Sequence, residues 1–222
     1  MPAVNPSNVP DLTVKQLVQD GVDALSANVA LLDGIWAGLA AGDITKLKAV
    51  WTSHPPTVLT GFARRGDPFP CFAVTLASDT PDTELLDNGG FLDEDDGEIG
   101  RETTSSTFRI FVFAENPDVC AAYYRVLRRI LQTGKRKLAS RGLYNATLSG
   151  AELAPDPSYT PDNLFTRQVT LTVLLEESWS MDPATDALAA ALVPTQPARL
   201  SSDGELNIAH TDAGGGVTPT ES

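Results

Sequence analysis

The segment from Asn116 to Gly142 constrains this chain more than any other. It opens Asn116-Pro117-Asp118. That order gives an amide suited to a helix N-cap, a proline suited to the first helical position and a carboxylate for the positive end of the helix dipole. No further proline interrupts the run to Arg141, and Gly142 supplies a stop. At 100° per residue, Val119, Cys120, Tyr123, Val126, Leu127, Ile130, Leu131 and Leu138 share one side, and Arg125, Arg128, Arg129, Lys135 and Arg136 lie opposite. A helix so divided buries one face against a second layer and leaves the other outside. Gly134 falls on the apolar side, where it predicts close packing against a sheet.

The material for that sheet flanks the helix. In residues 104–113, Phe108, Ile110 and Val112 alternate with Arg109, Phe111 and Phe113. Both sets are largely apolar, which predicts a central strand. Residues 71–77 place Phe72, Val74 and Leu76 on one face of another strand. Residues 143–149 read as a third, and residues 164–175, with Val169, Leu171 and Val173 between Thr170 and Thr172, as the fourth. Pro155, Pro157 and Pro161 break any regular element between the last two. Upstream, Val14, Leu17, Val18, Val22, Leu25, Val29 and Leu32 recur at helical steps, with Asp11 as the expected N-cap. After a Gly- and Ala-rich stretch, Asp43 is expected to cap a shorter helix bearing Leu47, Val50 and Trp51, which Pro55-Pro56 stops. The expected fold is α+β: a mixed or antiparallel sheet of about four strands, helices mainly on one face, and extended N- and C-terminal arms. Residues 1–10 form the first arm, 11–180 a single domain and 181–222 the second arm.

Charge is segregated along the chain. The net charge is −13, which argues against a protein held on nucleic acid by counterion release. Ten carboxylates and one arginine lie between Asp79 and Glu102, within residues 78–102, which are expected to form a long loop or a protruding hairpin. Seven of the sixteen basic residues, and no acid, lie between Arg125 and Arg141. Two surfaces of opposite sign suit a subunit that meets its neighbours electrostatically; the alternative is two solvated faces without partners. Residues 181–222 contain no aromatic, no lysine and only Arg199, too little to bury a core. Leu188, Leu192, Val193, Leu200, Leu206 and Ile208 are their available anchors on a partner.

No motif for chemistry emerges. There is no phosphate-binding loop, dinucleotide fingerprint or nucleophile elbow. Cys71 and Cys120 lie in apolar stretches and read as buried free thiols rather than metal ligands or a disulfide framework. His54, in Ser53-His54-Pro55-Pro56, could serve as a general base in a small hydrolase, but a histidine beside a helix end is the plainer reading. Leu92-Asp93-Glu94-Asp95-Asp96-Gly97-Glu98 invites comparison with a calcium loop. Placing Gly97 at its sixth position puts Leu92 where a carboxylate is required. Catalytic, cofactor-binding and metal-binding residues are therefore expected to be absent. No run of about 18 apolar residues suits a membrane span, and the N-terminus lacks the pattern of a secretory signal, which predicts assembly in a cytoplasm.

Several segments together resemble the tail-terminator, or tail-completion, subunits of tailed phages. They are Phe108-Arg109-Ile110-Phe111-Val112, Asn116-Pro117-Asp118 opening the long helix, and Gly142-Leu143-Tyr144-Asn145. Leu148-Ser149-Gly150-Ala151-Glu152-Leu153, Asp156-Pro157-Ser158-Tyr159 and Phe165-Thr166-Arg167 follow in the same order. Trp51-Thr52-Ser53-His54-Pro55-Pro56 and the strand around Phe72 precede them, so the likeness spans roughly residues 44–180. It rests on the order and texture of these segments; the acidic insert and the last arm lie outside it. The resemblance implies a non-enzymatic virion protein, assembled in the host cytoplasm, that forms a homo-oligomeric ring, usually a hexamer. Such a ring caps the tail tube, ends its polymerisation and joins it to neck, adaptor or sheath proteins, with DNA only as passing cargo. Another neck component, such as a head-completion or adaptor subunit, is the neighbouring alternative. The surfaces expected to meet partners are Arg125, Arg128, Arg129, Lys135 and Arg136; Asp93, Glu94, Asp95, Asp96 and Glu98; and the anchors of the C-terminal arm.

Overall fold

A computed structural model describes residues 9–64, 66–81, 91–92, 98–152 and 164–180. The elements in order are α1 (Pro10–Ala27), α2 (Leu31–Ile35), α3 (Ala41–Ser53), β1 (Thr57–Thr60), β2 (Cys71–Pro81), β3 (Phe91–Leu92), β4 (Glu98–Ala114), α4 (Pro117–Ala139), β5 (Leu143–Glu152) and β6 (Phe165–Ser180). The fold is α+β, built on a mixed sheet of order β1-β2-β4-β6-β5, with the short β3 paired to β4. β4 lies at the centre of this order, which explains why both of its faces are apolar at its C-terminal end.

One sheet face carries the main core. Phe72 and Val74 of β2, Phe108, Ile110 and Val112 of β4 and Val169, Leu171 and Val173 of β6 are buried together with α1 and α4. Leu76, expected to join that row, is 41% exposed. The β2–β4 register shifts between Leu76 and Ser78, and a bulge of this kind bends the strand away from its layer. The two helices cross the sheet antiparallel. A Cβ on Gly134 of α4 would lie 2.6 Å from Leu17 of α1, and one on Gly21 of α1 would lie 2.5 Å from Ile130 of α4. Gly134 thus gives close approach to another helix rather than to the sheet. Two tryptophans close the layer with their ring nitrogens satisfied: Trp36 donates to the Ala122 carbonyl at 3.1 Å and Trp51 to Ser26 Oγ at 3.2 Å.

The second face holds a smaller cluster of Cys71, Ala73, Phe111, Phe113, Ala63 and Leu164. β1 pairs parallel with β2, and parallel neighbours require a crossover rather than a tight turn. Residues 61–70 supply it, bringing Ala63 and Phe69 against this cluster and Phe62 to 5.5 Å from the Phe111 ring.

Four further sequence expectations are corrected. Pro10 is helical, not part of an arm, and because its fixed φ suits the first turn, α1 begins before Asp11, which lies in that turn rather than at the cap. Asp43 likewise sits in the first turn of α3, whose cap is Ala40. α1 ends at Ala27 instead of reaching Leu32, because Ser26 and Asn28 are poor helix-interior residues; Leu32 is buried from α2. β1 was not expected: its four residues lie between Pro56 and Gly61, too short a run for alternation to register. Residues 78–102, expected to form a long loop or a hairpin, contain paired strand where they are described: β2 and β4 stay in antiparallel register out to Pro81 and Thr104, and β3 pairs with the start of β4; residues 82–90 and 93–97 lie outside the described residues.

Candidate functional site

The exposed face of α4 is where the chemistry of the described residues is most unusual. The helix begins as its sequence dictates, with Asn116 Oδ1 accepting from the backbone N–H of Asp118 at 2.8 Å and of Val119 at 3.2 Å. Gly142, at φ +84°, follows its C-terminal turn. This frame fixes the rotation of the helix. Tyr123, Val126, Leu127 and Leu131 are completely buried, and Arg125, Arg128, Arg129, Lys135 and Arg136 are all exposed. Arg125, Arg128, Arg129 and Arg136 fall within about 100° of arc, over roughly 16 Å of helix, with Lys135 at the border.

No side chain of these five makes an ion pair or hydrogen bond among the described residues. Arg125 instead has like-charged neighbours at both i+3 and i+4, a placement that disfavours an isolated helix by roughly 0.2–0.5 kcal/mol per pair. A solvated helix face ordinarily interleaves acids to remove that cost; here none occurs between Arg125 and Arg141. The guanidinium groups are rigid forks of donors, suited to carboxylates on a partner surface.

Lys137 shows what a basic residue of the same helix does when the fold itself uses it. It pairs with Asp20 of α1. The hydrogen bond from Lys137 holds the Asp20 carboxyl below its ordinary value of 3.8, helped by one from Gln16 and by weaker attraction to Lys137 and Arg141. Helical spacing separates Lys137 from the stripe, since it lies about 120° around from Arg125. That was the available signal for a pair the sequence reading did not identify.

Beside Arg125 lies a second feature the sequence did not announce, an open cleft of about 660 Å³ between α3 and the first turns of α4. Its floor includes Leu47, Val50 and Ala122, and Asp43, Lys46, Asp118 and Arg167 surround it. Arg167 is held there by Glu152 at 3.5 Å and lies 5.8 Å from the centre of the Tyr124 ring. The rim joins three stretches of sequence, at Asp43 and Lys46, at Asp118 and at Arg167, that are about 50 to 70 positions apart, so no local pattern could reveal it. No model of a known protein family matches the sequence, and comparison with curated proteins finds no match either.

The other candidate residues divide plainly. His54 is exposed at the C-cap of α3; its carbonyl accepts from the Tyr123 hydroxyl at 3.5 Å, and its ring has no acidic partner among the described residues. Cys71 and Cys120 are buried, and burial pushes their thiols up, to about 12 and about 11 respectively. Among the described residues no group of three or more His, Cys, Asp or Glu is placed to hold a metal ion, and no helix is long and apolar enough to cross a membrane. Glu98 begins β4. Asp93, Glu94, Asp95 and Asp96 lie outside the described residues, as do Leu188, Leu192, Val193, Leu200, Leu206 and Ile208.

Proposed function

We propose that this chain is a structural subunit of a tailed-phage virion, a tail terminator that closes into a ring on the end of the tail tube. One observation carries the reading. The outer face of α4 holds five cations without an acidic partner among the described residues, on a chain whose net charge is −13. A cationic stripe on an acidic protein finds its complement most readily on another copy, and rotational symmetry lets each copy offer both signs to its neighbours until the ring closes. The resemblance of residues 44–180 to tail-terminator subunits names the kind of ring. The acid excess suits a hole through which DNA passes without being gripped. In this reading the partners are further copies of the chain, the tail tube protein, and neck or sheath proteins on the far side, and the protein resides in the virion neck.

The direct test combines native mass measurement with end-on projection images of the purified protein, alone and with preformed tail tubes. Closed rings, most simply of six subunits, are expected alone or on tube ends, and capped tubes should stop elongating. A protein that stays monomeric in both settings and leaves tube growth unchanged would contradict the proposal.

A further inference from the structure

We propose that the α4 stripe of one subunit is the docking surface for the acidic segment, residues 79–102, of the next subunit. The inference rests on the ring reading and names the contact that builds the ring.

The first support is the shape of the stem. β2 is buried from Cys71 to Thr75 and then exposed at every position from Leu76 to Pro81. Alternate residues of a strand point to opposite faces, so six consecutive exposed residues mean that neither face is covered. The ladder nevertheless continues, Ser78 opposite Thr107 and Pro81 opposite Thr104, and Ser106 donates a hydrogen bond across it to Asp79. At about 3.3 Å per residue the exposed stretch of β2 runs roughly 20 Å. β1 pairs with β2 only as far as Val74, so among the described residues this exposed stretch of β2 has an open edge, while its β4 partner stays covered, with Ser106 fully buried and β6 on its far side.

The second support is charge. The segment that this stem carries holds ten carboxylates and one arginine, and the α4 face carries four arginines and a lysine. Side chains on one face of a strand recur every 6–7 Å or so, close to the roughly 5–6 Å between helix positions three and four apart. Carboxylates along an extended edge can therefore meet successive guanidinium groups, each as a two-pronged pair.

The third support concerns which copy supplies the acidic segment. The stem leaves in the direction of the sheet, whereas the stripe faces away from that sheet across the thickness of α4, about 10 Å. A neighbouring copy can present the acidic segment directly.

The test uses two full-length variants in sedimentation-velocity runs at low and near-physiological salt. Variant A carries Arg125→Glu, Arg128→Glu and Arg129→Glu; variant B carries Asp93→Lys, Glu94→Lys, Asp95→Lys and Asp96→Lys. Each alone should sediment as a monomer under conditions where the wild type associates. Their equimolar mixture should recover association, because each variant then meets its complement, and that association should weaken as salt rises. If either variant alone assembles like the wild type, or the mixture stays monomeric, the pairing is wrong while the ring reading stands. A wild type that never associates, alone or on tubes, removes both. Should a reversed variant fail to fold, the neutral versions, Arg→Gln in α4 and Asp→Asn or Glu→Gln in the acidic segment, serve in its place. They should weaken association at least about tenfold with the unfolding midpoint unchanged, and equal affinity would overturn the proposal.

Discussion

On the inner face of α4, Tyr123, Val126, Leu127 and Leu131 are completely buried against α1 and the sheet; on the outer face, Arg125, Arg128, Arg129 and Arg136 are exposed and pair with nothing among the described residues. Both faces come from one run of sequence and one cap. They differ in what a substitution should disturb. An inner change removes packing that only this subunit can provide, so it should register as lost stability. An outer change alters a surface the monomer does not use, so under the proposed ring it should register as lost assembly.

The largest effect should come from the centre of the inner face. Leu127→Ala removes a completely buried side chain and leaves a cavity, costing about 2–5 kcal/mol in denaturant unfolding. A loss under about 1 kcal/mol would mean that the faces are assigned the wrong way round.

The seam with α1 comes next. Gly21→Ala drives a methyl against Ile130, whose branch at Cβ leaves it little freedom in a helix, and overpacking of this kind costs about 1–3 kcal/mol. Gly134→Ala meets mainly the flexible methyl ends of Leu17, and alanine's better helix propensity returns roughly 1 kcal/mol. Thermal unfolding of both should therefore place Gly21→Ala well below Gly134→Ala, with the latter near the wild type. The reverse order would contradict the reciprocal seam.

Asn116→Ala tests the start that fixes the rotation of both faces. It removes the acceptor for two backbone N–H groups and should cost about 1 kcal/mol, while Asn116→Asp should retain most of the cap.

The pair between Asp20 and Lys137 should contribute less, at most about 1 kcal/mol, because both side chains are partly exposed. Its sign with pH is fixed. The carboxyl is lowered in the folded state, so its contribution is present above the ordinary value of 3.8 and is lost as pH falls through the lowered value. The stability difference between wild type and Lys137→Ala should accordingly shrink in acid; a difference that grew there would exclude the pair as its cause.

How much of this was legible depends on the range of the signal. The α4 cap, its two faces and the central place of β4 are written in contiguous residues, Asn116-Pro117-Asp118 and Phe108 to Phe113, and the structure has them as read. Trp51 and Leu47 were likewise marked for the core by local spacing, and both are buried. The misses involve competition or distance. Pro10 outranked Asp11 as the start of α1. The four residues of β1 are held by pairing with β2 across the 61–70 crossover, which no local pattern records. Gly134 showed that something approaches closely, but only the fold shows that it is Leu17. The stripe was visible as a pattern, while the cleft beside it depends on α3, α4 and β6 coming together.

The most direct test of the separation between the faces is a single paired measurement on Arg125→Glu/Arg128→Glu/Arg129→Glu/Arg136→Glu: native mass and unfolding midpoint on the same sample. A folding stability within about 0.5 kcal/mol of the wild type is expected, as for exposed positions generally, together with loss of the proposed ring. A variant that unfolds, or one that still forms the proposed ring, would contradict the account.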